Sequence, residues 1–402
     1  QELLLSWTCL DDVLQNENLV IFTCGLDPKL GEVIFKRICQ VCDFDSNVLK
    51  YRQGSYDYRN AIKNLSSLHE ICLNEVGTSA SLPISDIIVW KLEHFLNKLM
   101  TLNLPTTIKS FSMKEFVRYE NFYTENISMC KMVSDCIHLQ KLCLWNISVH
   151  DISLDLSRLT SLTELYLNNL TMSSECCKSL CRSISNCTHM QTLDLAYIKL
   201  CDGILDLSRL TSLTKLKLYK LTMSSECCVS MCRSISNCTH LKTLNLSDIT
   251  LHDGILDLSR LTSLTRLYLI ELTMSSDCCK SLCRSISNCT HMQTLDLCLI
   301  TLHDGILDLS RLTSLTVFTL FKLTMSSECC DSMCRSISNC THMQTLDLCE
   351  IELDGIHDLS GLRSLIDLWH INIASLFCKS KCENRSSCTH MKTLHLKMNK
   401  NY

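Results

Sequence analysis

Leucines recur along this chain at fixed intervals, and the arrangement itself repeats. The string LDLSRLTSLT begins at Leu154, Leu205, Leu256 and Leu307, 51 residues apart each time, and a diverged copy starts at His357. Each period holds two cores of the LxxLxxLxL kind. One is Leu159, Leu162, Leu165 and Leu167; the other is Cys187, Met190, Leu193 and Leu195. The period therefore divides into units of 28 and 23 residues. Leu165 and Leu167 alternate with Glu164, Tyr166 and Asn168, the period of two expected of a strand with one apolar face. A single apolar row cannot bury itself. Stacking neighbouring units does so, with the strands in a parallel sheet that needs a cover on its other side.

The 28-residue unit supplies that cover. In SSECCKSLCRSISNC, Ser173 or Ser174 is placed to cap a helix N-terminus. Glu175 in the first turn and Arg182 near the last both suit the helix dipole. Cys177, Leu180, Cys181 and Ile184 fall at i, i+3, i+4 and i+7, one buried stripe. The 23-residue unit has room only for a turn or a short helical piece, marked by Gly203, Gly254, Gly305 and Gly355. Both lengths lie in the leucine-rich-repeat range. The expected fold class is α/β: a leucine-rich-repeat solenoid with a curved parallel sheet and helices on its convex side. Strands are expected at Phe111, Leu142, Leu165, Leu193, Leu216, Leu244, Leu267, Leu295, Phe318, Leu346, Leu368 and Leu394, about twelve over residues 101–402. No polar cap follows the last, which suggests a chain that continues.

Residues 1–100 carry no repeat and read as a small all-α module. Asp27-Pro28 is an N-cap followed by proline at the first helical position. Leu30, Val33, Ile34, Ile38 and Val41 form a helical stripe, and Leu65–Gly77 and Asp86–Met100 read as helices too.

The chain has 402 residues, 46% hydrophobic and 20% charged, with a formal net charge of −4. That composition folds, and without a dense Lys/Arg run it disfavours nucleic acid as a partner. No apolar run reaches membrane-span length. The 30 cysteines mostly occupy repeat positions that an apolar residue could fill. They read as reduced, buried small hydrophobes, which suggests a cytoplasmic protein.

Asn18–Ile38, NLVIFTCGLDPKLGEVIFKRI, resembles the helical region that follows the nucleotide-binding NACHT module of NOD-like receptors, and His69–Gly77, HEICLNEVG, is similar to a second helix pattern there. Such a region followed by ribonuclease-inhibitor-like repeats is the C-terminal half of that family's layout. The resemblance implies a cytosolic innate immune sensor whose repeats recognise a ligand or hold the receptor inactive, with a NACHT module upstream. Two features depart from it. No GxxxxGK[ST] loop is present, so ATP chemistry is not assigned to this chain. The usual asparagine closing each repeat core is replaced by Leu170, Ile198, Leu221, Ile249, Leu272, Ile300, Leu323 and Ile351. The alternatives are a stand-alone inhibitor or scaffold resembling ribonuclease inhibitor, and a GTPase regulator built on such repeats.

The copies differ mainly on the strand face. Glu164, Lys215, Arg266 and Val317 share one position; Tyr166, Lys217, Tyr268 and Thr319 the next; Asn168, Tyr219, Ile270 and Phe321 a third. The helix string CRSISNCTH is identical in all four periods, and Ser179, Arg182 and Ser183, read as exposed, recur unchanged in every copy. The main helix exception is Lys178, Val229, Lys280 and Asp331. Change concentrated on one face points to recognition there, and Tyr and Trp suit binding hot spots. The candidate partner-binding residues are Trp145, Tyr166, Tyr197, Lys217, Tyr219, Arg266, Tyr268, Phe321 and Trp369, on the concave face, for a protein or peptide ligand. Lysines and Arg266 on alternate strands face Asp194, Asp248, Asp296, Asp347 and Glu350 and partly neutralise them. No cofactor, metal or catalytic site is expected. Cys176, Cys177, Cys181, Cys187 and His189 lack zinc-site spacing, and equivalent cysteines two strands apart, about 9–10 Å, exceed disulfide reach.

Overall fold

The computed structural model describes residues 6–26, 28–46, 64–65, 67–68, 71–72, 86–89, 108–114, 130–149, 154–200, 202–251, 253–302, 304–349, 364, 367–372 and 393–397. The chain divides into two compact units, Gln1–His189 and Met190–Tyr402. The fold is an α/β leucine-rich-repeat solenoid.

The first unit opens with helices α1 (Leu10–Gln15), α2 (Glu17–Leu26) and α3 (Pro28–Phe44). Helix α3 starts at Pro28, whose fixed φ and missing N–H suit a first helical position. Ile34, Ile38 and Val41 are buried, but Leu30 and Val33 are about half exposed, so the expected stripe is narrower than its sequence spacing suggested. Leu65, Leu68 and Cys72 are helical and buried. Strands β1 (Asp86–Val89), β2 (Ser110–Lys114), β3 (Lys141–Trp145) and β4 (Glu164–Asn168) then run parallel, side by side. Strand β1 corrects the helix expected from Asp86. Ile87, Ile88 and Val89 are β-branched, which favours an extended chain, and Ile87 pairs in register with Phe111. Trp90–Met100 lies outside the described residues.

Among the described residues, the main sheet of the second unit has nine parallel strands: β5 (Thr192–Ala196), β6 (Lys215–Tyr219), β7 (Thr243–Thr250), β8 (Arg266–Thr273), β9 (Thr294–Cys298), β10 (Val317–Phe321), β11 (Thr345–Cys349), β12 (Asp367–Asn372) and β13 (Thr393–Lys397). All twelve expected strands are present in the two units, with β1 and a few two-residue strands in addition. The inward leucines, such as Leu216 and Leu218, are fully buried and the residues between them half-buried. The apolar closing positions Leu221, Ile249, Leu272, Ile300 and Leu323 are buried as well, as Leu170 is in the first unit. Ile351, Gly355 and the diverged copy at His357 lie outside the described residues.

Helices α4 (Ser174–Ile184), α5 (Ser225–Ile235), α6 (Ser276–Ile286) and α7 (Ser327–Ser336) follow the strands of the 28-residue units. The first serine of each SS pair is the cap. Ser224 Oγ accepts a hydrogen bond from the Cys227 N–H at 3.2 Å, and Ser173, Ser275 and Ser326 do the same in their copies. The stripe Cys228, Met231, Cys232 and Ile235 is buried. Two details correct the sequence reading. Ser183, Ser234 and Ser285 are buried, not exposed, and donate Oγ–H to the carbonyls of Leu180, Met231 and Leu282 at 3.0 Å. Their constancy between copies follows from packing. The cysteines after the helices are also more than small hydrophobes. Cys187, Cys238, Cys289 and Cys340 donate to the connector carbonyls of Leu156, Leu207, Leu258 and Leu309 at 3.6–3.9 Å. Burial pushes the Cys187 thiol up to about 11 and the Cys238 thiol up to about 12, so each keeps the proton it donates.

Candidate binding face

In the second unit, strand register lays the outward side chains in rows. The middle row runs Asp194, Lys217, Asn245, Tyr268, Asp296, Thr319 and Asp347 over strands β5 to β11. The row towards the strand ends includes Tyr219, Ser247, Ile270, Cys298 and Phe321. These rows form the open face of the sheet, because the alternate side chains are the buried leucines.

Just beyond β5, β6, β9 and β10, and within the longer β7 and β8, the chain makes the same turn. Tyr197, Lys220, Asp248, Glu271, Leu299 and Lys322 have φ between 49° and 54°, in the left-handed region. Only aspartate among these is well suited to it. The turn is held because its N–H groups reach the next strand: Tyr197 N–H donates to the Tyr219 carbonyl at 2.9 Å, and Lys220 N–H to the Ser247 carbonyl at 3.0 Å. The turn also aims its side chain across the sheet.

That direction assembles a cluster of two rings, a cation and a carboxylate. The Tyr197 and Tyr219 rings meet edge to face, centroids 5.0 Å apart. Their hydroxyls are 3.4 Å apart. Lys220 Nζ lies over both rings, 5.6 and 5.8 Å from the centroids, and 3.2 Å from the Asp248 carboxylate. The hydrogen bond with Tyr197, helped by burial, raises the Tyr219 phenol above its ordinary pKa. Asp248 and then Tyr219 raise that of Lys220, so the ammonium stays charged. Lys220, Asp248 and Thr250 border a recess of about 220 Å³. Nearby, Lys217 sits 3.9 Å from Asp194, the expected cross-strand neutralisation in its longest form. Burial raises the Asp194 carboxyl, with Lys217 and Lys215 opposing it.

The other candidates are placed apart from this cluster. Tyr268 is half-buried in the middle row, two strands from Lys217, with Asn245 between. Arg266 is exposed one position earlier on the same strand. Phe321 is half-buried under the Lys322 ammonium, 5.2 Å from its ring centroid. Trp369 lies in β12 opposite Asp347; its side chain is outside the described residues. In the first unit, Trp145 is half-buried at the end of β3. Tyr166 donates to Glu164 at 3.1 Å beneath Lys141, which is 2.8 Å from the same carboxylate. Lys220 and Asp248 belong to the cluster; the sequence marks them as charges at positions that differ between copies, but not as neighbours of the tyrosine rings. Their turn position repeats every period, and that was the available signal.

The acidic end of the middle row differs. Burial raises the Asp296 carboxyl; the Cys298 thiol, donating at 2.7 Å, lowers it, and Asp347 raises it further. No group of three metal-ligating side chains occurs among the described residues, and no described helix is long and apolar enough to cross a membrane.

No family model matches this sequence, and no curated protein matches it either. Solved structures that it resembles are leucine-rich-repeat proteins. An internalin from Listeria monocytogenes is 17% identical with a TM-score of 0.48, the alignment covering 86% of this chain and 96% of that one. A leucine-rich-repeat protein from Leptospira interrogans is 16% identical with a TM-score of 0.38, covering 75% and 80% of the two chains. Internalin C2 from Listeria monocytogenes is 20% identical with a TM-score of 0.31, covering 47% and 74%.

Proposed function

We propose that this chain is a non-catalytic recognition protein that binds a protein or peptide partner on the open strand face, with Tyr197, Tyr219 and Lys220 as the central anchor. The observation that carries this is the cluster itself: two aromatic rings and a cation held at the surface by a strained turn. The turn recurs along the array and fixes where these side chains stand. Rigid aromatics beside a charge give large contact area at small entropic cost. Tyr268, Arg266 and Phe321 extend the contact along the array, and the copy-to-copy variation gives each period its own share of specificity. Capture of a partner by the full chain tests the reading. Tyr197→Ala and Tyr219→Ala should abolish the capture, and Arg182→Ala, on the helix side, should leave it intact.

We further propose that the chain is the recognition part of a cytosolic NOD-like receptor, with the helices that precede strand β1 as the helical region and a NACHT module upstream. The residues supporting this are Asn18–Ile38 and His69–Gly77. An exposed apolar face on α2 and α3, made by Leu19, Phe22, Leu26, Leu30 and Val33, is of the kind a neighbouring module covers. Sequencing the transcript upstream of Gln1 decides it. A GxxxxGK[ST] loop in frame supports the reading, and a stop codon ahead of any such loop ends it.

A further inference from the structure

The helix side of the second unit carries a pattern that the strand-face reading leaves unused. Ile204, Ile255 and Ile306 occupy the same connector position in three successive periods, and each is about half exposed, at 47%, 53% and 51%. For Ile255 and Ile306 that exposure is built in. The preceding glycine lies so close to the helix that a Cβ on Gly254 would meet Cys232 Sγ at 2.7 Å and Cys228 Sγ at 2.9 Å. The connector is thus pinned to mid-helix, and the next side chain is turned outward. Beside Ile204, Val229 adds a further apolar residue to a groove of about 560 Å³ that also reaches Glu226 and Arg233. Lys280 and Asp331 replace Val229 in the next two periods.

Charge is sorted about this apolar row. At the helix N-terminal ends stand Glu226, Asp277 and Glu328, all exposed. At the C-terminal ends stand Arg233, Arg284 and Arg335, also exposed. The connectors run alongside in the same sense. Asp253 bonds Ser225 at the start of α5, and Arg260 bonds Asn237 beyond its end. One rim is acidic, the other basic, with the isoleucines between.

We propose that this face binds a second copy of the chain. A two-fold axis along the stacking direction carries the acidic rim of one copy onto the basic rim of the other and sets each isoleucine against its counterpart. An axis along the helices would put acid on acid. The interface is isologous. Helices of eleven residues are about 16 Å long. Three periods of paired strands then offer on the order of 400 Å² per copy, about half of a standard interface. The same axis sets mid-helix Lys280 and Asp331 each against its own counterpart, so association is weak and weakens further with salt.

Sedimentation equilibrium of the full chain between about 10 and about 500 μM reads it directly. The wild type should pass from monomer to dimer. Ile204→Ser/Ile255→Ser/Ile306→Ser should stay monomeric with unchanged circular dichroism. Arg233→Glu/Arg284→Glu/Arg335→Glu should stay monomeric alone, as should Glu226→Arg/Asp277→Arg/Glu328→Arg. An equimolar mixture of these two charge variants should associate at least as tightly as the wild type. A wild type that stays monomeric throughout would overturn the proposal and leave the face to a different protein. So would an isoleucine variant that dimerises unchanged, or folded charge variants that do not associate when mixed.

Discussion

Tyr197 and Tyr219 stand 22 residues apart in sequence, yet their rings cross at 84° with centroids 5.0 Å apart and share the Lys220 ammonium. Neither is core: Tyr197 is 46% exposed and Tyr219 half-buried. Tyr219→Ala should therefore weaken partner binding by more than about 2 kcal/mol, the usual cost of truncating a hot-spot aromatic. Thermal stability should fall by much less. Tyr268→Ala should weaken binding independently, because Asn245 and Ser247 separate it from the pair. Calorimetric titration of the captured partner against each variant and the double variant gives the test. Strong non-additivity between Tyr219 and Tyr268 would contradict separate contacts.

The left-handed turns should be sites of easy stabilisation. Leu299 has φ 54° and is 37% exposed, so it carries the strain of that conformation at a position that packing covers only in part. Leu299→Asn should raise stability by up to about 1 kcal/mol, since asparagine adopts the region readily. Urea unfolding at constant m-value is the measurement. An unchanged or lower midpoint would mean that Leu299 is held by packing.

Gly254 should tolerate no side chain. Gly254→Ala should cost about 1–3 kcal/mol through overpacking against Cys232 and Cys228. Cys232→Ala removes one of the two sulfur atoms it would meet. The double variant should then be more stable than the two single costs added together predict, with a coupling of at least about 0.5 kcal/mol. Simple additivity would show that the connector moves away instead.

Asp296 should give the fold a stability that declines as pH rises. Its carboxyl is raised above the ordinary value of 3.8, first by burial and then by Asp347, against the opposing Cys298 hydrogen bond. The unfolded chain therefore loses this proton at lower pH than the folded chain does. The protonated group's contribution is fully present below the unfolded pKa and is lost as pH climbs through the raised folded pKa. Asp296→Asn should accordingly raise the melting temperature at pH 7 and change it much less near pH 3. An equal effect at both values would assign the gain to packing rather than to charge.

The fold was legible because each repeat states its own structure locally. LxxLxL alternation defines a strand, SSEC opens a helix with its cap and dipole partner, and the 51-residue period says that the units stack. One helix expectation failed at Asp86–Val89, where a β-branched run found a strand partner at Ser110–Met113. Ile87 and Ile88 read equally well as buried helix or buried strand from periodicity alone.

What the sequence by itself determined was therefore the repeat, the buried leucine rows, the capped helices and the set of residues facing outward, since these depend on spacing within a few residues. Tertiary structure decided which outward residues meet and which apparently exposed residues are covered. A turn near φ 54° swings Tyr197 across to the next strand, and no local pattern encodes that reach. Ser183 is buried once the repeats stack over its side of the helix, and its hydroxyl is then satisfied by the Leu180 carbonyl of the same helix. Ile255 is exposed because Gly254 lets the connector close onto Cys228 and Cys232, which lie more than twenty residues earlier in the chain. Each outcome turns on distances between separate units, and these are set only when the units pack.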